Sequence, residues 1–399
     1  MSSENSETKP LVALASPIYG HIGEVDAVPR LARAIAGAGY RVDLLQAWNE
    51  WQTVDRSQLP ERMRVVDLKL NRYLPVMPSI SRISSWAHYR MWSALTALAL
   101  VPAMRRYLRQ TRPDALIARM LTAPLLGSSL LSGTGTPVIL SMGGLPKSSP
   151  IRTAMWGRLY PKAAGFVAPT ASVAEAASEI SGISHDRFEV IPNPVIDQSV
   201  ILKGDESAPD HPWINDPEHP LVLAVGRMTR QKDFGTLIRA LKRVREHTPA
   251  RLLILGEGEH RGQLEELISS LDLNSYVLMP GFEPNPYRYM KAADAFVMPS
   301  LWEGPGHVLI EAQAMGVPAV STDCPAGPRD TLLDGAAGWL VPVGDDKKMS
   351  EAILDVFASP AEAQLKVQLG LEASTSYFEP NVGSKWAAYL DRLLPVNHS

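Results

Sequence analysis

A single cysteine, Cys324, stands in the 399 residues. A chain with one thiol can build neither an internal disulfide framework nor a cysteine-based zinc cage, and it fits a reducing compartment. Cys324 falls in a loop expected after a strand, where a free structural thiol is the default. Long apolar runs are missing too, since none reaches the roughly 18–20 residues needed to cross a bilayer. The first ten residues are polar with no apolar core, so no secretory signal is visible. The expectation is a cytoplasmic protein, soluble or associated with the inner face of the cell membrane. Charge is nearly balanced. A net charge of −3 argues against a nucleic-acid binder acting through bulk electrostatics. No Asp-x-Asp element stands at an expected strand end, so no metal is called for, and no cofactor is expected.

What is present is an ordinary globular composition, 45% hydrophobic and 20% charged, on a chain longer than one typical core. Two domains are therefore expected. Leu11 to Ala15 is a short apolar run suited to a buried parallel strand. Ser16 to Gly23 is the loop after it, and Glu24 to Ala38 repeats apolar residues at helical spacing (Val25, Val28, Leu31, Ala32, Ile35). Arg41 to Leu45 is the next strand, and further strands are read at 114–118, 136–140, 165–168 and 187–191. Alternation of this kind implies a parallel, doubly wound sheet. Ligands of such sheets collect beyond the carboxyl ends of the strands. The first loop holds Gly20, His21 and Gly23 there, and His21 can orient or deprotonate an acceptor hydroxyl. Glu24 reads equally well as a residue compensating a helix dipole.

Residues 62–112 carry Lys or Arg at 62, 64, 69, 72, 82, 90, 105, 106, 109 and 112, against one acid, Asp67. Tyr73, Ile80, Ile83, Trp86, Tyr89, Met91 and Trp92 are interleaved. The segment reads either as an interfacial stretch docking on an anionic membrane leaflet or as a buried helix with arginines on its exposed face. Ile191-Pro-Asn-Pro-Val195 is then a rigid extended exit. Residues 203–220, rich in Gly, Asp, Ser and Pro, form the boundary between domains of residues 1–200 and 201–376.

A second alternating series follows at once. Leu221 to Val225 is a strand, Gly226 to Asp233 the loop after it, and Phe234 to His247 a helix. Arg251 to Leu255 is a strand leading to Gly256-Glu-Gly258, then the helix Gln263 to Leu271. Val277 to Met279 leads to Gly281-Phe282, and Ala295 to Pro299 ends at the loop carrying Glu303. Four loops thus converge beyond neighbouring strand ends. In the last of them Gly304, Pro305 and Gly306 make a tight turn into a helix over Val308 to Met315, a ready anion site. Glu303 lies before that helix and Glu311 about a turn and a half inside it. A carboxylate beside an anion repels it, so each Glu is better placed to accept hydrogen bonds from neutral hydroxyls. Arg227 and Lys232 are the cations in the crevice, a planar fork and a point charge suited to a diphosphate. Phosphate at the helix start with hydroxyls on its flanks describes a nucleotide sugar.

Gly226-Arg227 with Lys232, Gly256-x-Gly258, and Glu303 with Glu311 resemble family 4 of the retaining glycosyltransferases. The likeness is dense over residues 221–344 and looser before them. It implies the GT-B architecture, two Rossmann-like, doubly wound α/β domains facing a cleft. It also implies a hexosyltransferase that moves a sugar from a UDP- or GDP-sugar to a glycan or lipid-linked acceptor, with retention and without a metal. On this likeness Arg227 and Lys232 bind the diphosphate and Glu311 the ribose. Glu303 and the backbone from Gly304 to His307 and Val308 hold the transferred sugar, and residues after Gly281, Phe282 first, line the base pocket. Ser321 to Pro328 looks like members that assemble bacterial surface polysaccharides or lipid-linked oligosaccharides, a setting that suits an anionic membrane contact by residues 62–112. The final amphipathic stretch, residues 377–399, is expected to return to the first domain.

Two positions depart from the family. The His that many members carry after a mid-domain strand is absent from Leu140-Ser-Met-Gly-Gly144, and Gly20-His21 looks like the first loop of inverting family 1 enzymes. A GT-B sugar-nucleotide epimerase and a non-catalytic binding subunit are the competing readings. Product analysis with donor alone separates the first, and donor hydrolysis or transfer by the isolated chain excludes the second.

Overall fold

The computed structural model of the chain describes residues 9–17, 24–48, 50, 51, 54–74, 86–145, 150–214 and 216–394, the side chains of 24, 25, 86–90, 151 and 152 excepted. The chain folds into two units. The first runs to Pro194 and takes up the chain again from Glu379, and the second is Val195–Phe378. These divisions lie a few residues from the 200/201 and 376/377 positions read from composition.

Among the described residues seven strands build the first unit: β1 Leu11–Ala15, β2 Arg41–Gln46, β3 Met63–Asp67, β4 Ala115–Ala118, β5 Val138–Ser141, β6 Gly165–Ala168 and β7 Phe188–Val190. Their order is β3-β2-β1-β4-β5-β6-β7, and every pairing is parallel. The central strands are short apolar runs because both faces are covered and no residue needs to meet water. Val28, Leu31, Ala32 and Ile35 of the helix Glu24–Gly37 share one core with Val12, Leu14 and Leu44. The last helix, Glu379–Leu393, completes that core with Val382, Trp386, Tyr389 and Leu390. A methyl on Gly383 would lie 2.3 Å from the Ala34 carbonyl oxygen, so the two helices meet backbone to backbone.

β3 lies inside the stretch read from sequence as one basic segment. It is an edge strand on which only Met63 is buried, so it lacks the apolar run that marks its neighbours. Part of the local positive charge is used internally. Arg64 grips the buried carboxylate of Asp43 through two bonds of 2.6 and 2.9 Å, Arg62 donates to the Gly39 carbonyl, Arg106 to Leu68 and Arg109 to Ser132. The helix Trp86–Thr111 buries Leu100, Ala103, Met104, Tyr107 and Leu108, while Met91 and Leu98 stay exposed. Lys69, Arg72 and Arg112 point to solvent. Ile80, Ile83 and Arg82 lie outside the described residues.

Among the described residues the second unit has six strands, β8 Leu221–Val225, β9 Arg251–Leu255, β10 Val277–Gly281, β11 Ala295–Met298, β12 Ala319–Thr322 and β13 Trp339–Val341. Their order is β10-β9-β8-β11-β12-β13, again all parallel. Successive residues of β8 serve opposite faces. Val222 and Ala224 join a core with Leu237, Ile238, Leu241 and Val244 of the helix Phe234–Val244, and Leu221 and Leu223 join one with Leu309 and Ile310.

Candidate active site

β8 has β9 on one side and β11 on the other. The chain therefore leaves β8 in one direction and returns to start again beside it. That makes the gap between β8 and β11 the switch point at which open parallel sheets receive ligands. Residues 226–233 follow β8 and residues 299–306 follow β11, so the two candidate loops flank this point. They are also bonded to each other. Leu301 N–H donates to the Gln231 carbonyl (2.8 Å), and the Gln231 amide donates to the Trp302 carbonyl (3.0 Å).

At the centre of the join, Lys232 Nζ donates to Glu303 Oε1 at 2.6 Å, and Ser300 Oγ donates to the same oxygen at 2.7 Å. The ammonium and carboxylate side chains are only 14% and 9% exposed, so the pair is largely out of water. The sequence placed Lys232 on the phosphates and Glu303 on the sugar; the structure joins the two directly. Arg227, on the same loop as Lys232, is exposed and has no side-chain partner among the described residues. It is a free fork beside an internally neutralised pair.

Gly256 and Gly258 act on the β8 loop by allowing close approach. A methyl on Gly256 would lie 1.9 Å from the Gly226 carbonyl oxygen, and one on Gly258 would lie 2.3 Å from that of Met228. Met228 N–H donates to Glu257 O and His260 N–H to Met228 O, which holds the loops together. The helix His307–Ala314 starts at Gly306, whose φ of +71° suits glycine, and no side chain caps it. Val308 is half-buried on its first turn, and His307 precedes it. Glu311 is half-buried and accepts from the Tyr287 hydroxyl at 3.4 Å. Gly281 ends β10, and the Phe282 ring after it is 77% exposed. Gly20, His21 and Gly23 lie outside the described residues. Among the described residues no group of three or more His, Cys, Asp or Glu is arranged to hold a metal ion.

A third loop, not singled out residue by residue from the sequence, supports the Glu303 loop from behind. Glu303 N–H donates toward Pro325 O at 3.5 Å, Thr331 Oγ1 donates to Pro305 O at 3.1 Å, and Gln313 Nε2 donates to Thr331 O at 3.0 Å. Gly327 sits against Gly304 so tightly that a methyl on it would lie 1.9 Å from the Gly304 carbonyl oxygen. The available signal was the Gly327-Pro328 pair ahead of a short helix, a turn signature that does not say what the turn touches.

Cys324 is buried on this loop, and burial, with Glu303 nearby, pushes its thiol up to about 11. The thiolate is the reactive form, so the native thiol is expected to react with a disulfide reagent at pH 8 about 100-fold more slowly than the urea-unfolded chain. A raised thiol pKa stabilises the fold fully below the unfolded value of about 8.5, and that stability is lost as pH climbs toward 11. Comparing the alkaline limb of a pH–stability curve for wild type and Cys324→Ala checks the sign.

Two doubly wound parallel sheets, with the ion-paired and glycine-held loops at the switch point of the second, define the GT-B glycosyltransferase class. The first unit carries a match to the family model described as glycosyl transferase 4-like domain, over residues 23–194, and the second a match to glycosyl transferases group 1, over residues 210–370. The chain belongs to the glycosyltransferases assembled from these two domains.

Among curated relatives, an uncharacterized glycosyltransferase of Methanocaldococcus jannaschii is 46% identical over 111 residues, 28% of this chain and 27% of that one. The N-acetylgalactosamine-N,N'-diacetylbacillosaminyl-diphospho-undecaprenol 4-alpha-N-acetylgalactosaminyltransferase of Campylobacter jejuni is 33% identical over 195 residues, covering 49% of this chain and 51% of that protein. The matched segments thus span about half or less of these relatives. In fold, the chain is similar to Anabaena HepE in complex with UDP, with a TM-score of 0.72, 16% identity and coverage of 96% and 100%. A glycosyltransferase from Rickettsia africae gives a TM-score of 0.77 at 15% identity, with coverage of 98% and 100%.

Proposed function

We propose that the protein is a glycosyltransferase moving a sugar from a nucleotide-sugar donor, a UDP- or GDP-sugar, to a glycan or lipid-linked acceptor, with retention and without a metal. The observation that carries this reading is the buried Lys232–Glu303 pair on the same loops as Arg227, exposed and without a side-chain partner among the described residues, at the switch point of the second sheet. Arg227 grips the diphosphate, and the Lys232 ammonium, which has three donors, shares itself between Glu303 and the nearer phosphate. The start of the helix His307–Ala314 adds its dipole to the same charge. Glu303, held by Lys232 and Ser300, accepts from hydroxyls of the transferred sugar, with the backbone of Gly304 to Val308 alongside. Glu311 accepts from the ribose, and the Phe282 ring lies against the base. Catalysis comes mainly from stabilising charge on the departing diphosphate and from positioning. The Campylobacter relative's diphospho-undecaprenol acceptor and the UDP in HepE support the acceptor and donor classes assigned here.

A thermal-shift panel of UDP- and GDP-sugars, followed by transfer assays with lipid-linked acceptors in EDTA, tests the proposal. Stabilisation by one nucleotide class and turnover unaffected by EDTA are expected; no stabilisation by any nucleotide refutes it. The exposed Lys69, Arg72 and Arg112 with the uncovered Met91 and Leu98 form the membrane contact of this reading. Co-sedimentation with vesicles containing about 30% anionic lipid, lost at 0.5 M salt, is expected. Equal recovery with neutral vesicles counts against it.

A further inference from the structure

The Glu303 carboxylate uses its two oxygens differently. Oε1 accepts from Lys232 Nζ at 2.6 Å and from Ser300 Oγ at 2.7 Å. Oε2 accepts from no described residue, and it is not among the unpaired side-chain oxygens that are sealed from water. One oxygen is thus anchored inside the second unit, and the other stays open to a ligand. The last torsion of a glutamate is soft, and turning about it would exchange the two oxygens. Two donors on one oxygen, brought by different loops, remove that freedom.

Lys232 alone is a poor clamp. Its ammonium ends a flexible four-carbon stem, and in the proposed reading the nearer phosphate also draws on it. Ser300 is short, fully buried and tied from behind. β11 ends at Met298, in register with Ser321 of β12, and Pro299 has no N–H with which to carry the ladder on. A side chain of β12 takes over there. Thr322, also fully buried, donates through Oγ1 to the Ser300 carbonyl at 2.5 Å. Thr322 fixes the backbone of Ser300, Ser300 fixes Oε1 of Glu303, and Oε2 is left in one place.

We propose that Ser300 is a positioning residue for sugar transfer, holding Glu303 so that Oε2 meets a hydroxyl of the sugar on the donor, with Thr322 holding Ser300 in turn. The proposal rests on the glycosyltransferase reading and deepens it, because it gives two buried hydroxyls the task of distinguishing a nucleotide sugar from the bare nucleotide. Neither hydroxyl touches the ligand. Removing one leaves Arg227 and the start of the helix His307–Ala314 to grip the diphosphate, so sugar recognition fails while nucleotide binding persists.

Isothermal titration with UDP, GDP, UDP-glucose, UDP-galactose, UDP-N-acetylglucosamine and GDP-mannose tests this on wild type, Ser300→Ala, Ser300→Cys and Thr322→Val. For the nucleotide sugar that wild type binds most tightly, Kd is expected to rise at least tenfold in Ser300→Ala, while Kd for its nucleoside diphosphate stays within twofold. Ser300→Cys keeps the shape of the side chain with only a weak donor, so it should lose sugar affinity as Ser300→Ala does. Thr322→Val keeps the branched shape and should raise the sugar's Kd at least threefold; it carries the test if the Ser300 variants do not fold. Nucleotide-sugar affinity unchanged in Ser300→Cys and Thr322→Val overturns the proposal. Nucleotide and nucleotide-sugar affinities falling together overturn it as well, since the hydroxyls would then serve only the fold. A wild type that binds none of the six ligands is a different result, which refutes the glycosyltransferase reading and this proposal with it.

Discussion

Arg227→Ala is expected to lower turnover about 100-fold while leaving stability within about 0.5 kcal/mol of wild type, whereas Lys232→Ala is expected to lose both. The two cations share a loop and differ in what surrounds them. Arg227 is exposed and has no side-chain partner among the described residues, so in the proposed reading its fork is left for the ligand. Truncating such a residue disturbs little until charge builds on a departing diphosphate. Lys232 already spends one donor on Glu303, and both groups are largely sealed from water. Removing the ammonium strands a carboxylate, which costs about 3–5 kcal/mol in buried pairs. A double variant, Lys232→Met with Glu303→Gln, separates the effects, because neutralising both partners removes the stranded charge. It should recover most of the urea midpoint and none of the turnover. Wild-type turnover in Arg227→Ala, with true donor and acceptor, would dismantle the donor site as assigned.

Gly327→Ala is expected to destabilise the second unit by about 3 kcal/mol or more and to depress turnover at least tenfold. Gly327 has φ +95° and ψ −61°, a conformation L residues avoid. Its added methyl would also lie 1.9 Å from the Gly304 carbonyl oxygen, a backbone atom in the turn next to Glu303. Something must move, and the turn is the nearest thing able to. Gly335→Ala is the control. Its φ is +93°, yet nothing lies within 4 Å of the new methyl. It should show only the conformational cost of about 1–2 kcal/mol and keep its rate. Equal loss of rate in both would mean that strain in the chain, rather than displacement of the Glu303 turn, is responsible.

Much of this fold was legible because buried parallel strands advertise themselves. Leu221–Val225 and Arg251–Leu255 read as apolar runs, and the loops after them fall where a doubly wound sheet puts ligands. β3 was not legible, because an edge strand with one buried residue carries no such run. The basic count over residues 62–112 could not tell internal from free charge for a related reason. Charge can be tallied from sequence, but the Asp43 carboxylate that absorbs Arg64 lies 21 positions away. Within the site, Arg227, Lys232 and Glu303 were nameable, yet the bond between the last two joins residues 71 apart and leaves no local pattern. The same holds for Gly256, legible as a turn glycine and silent about the carbonyl it must clear.

The helix Glu379–Leu393 has a consequence for biosynthesis. Trp386 and Leu390 are part of the first unit's interior, and the Tyr389 hydroxyl occupies the space a methyl on Gly165 would need. These residues are translated after the whole of the second unit. The amino-terminal half must therefore wait on the ribosome with an unfinished interior while the later half matures, a window in which chaperones have most to shield.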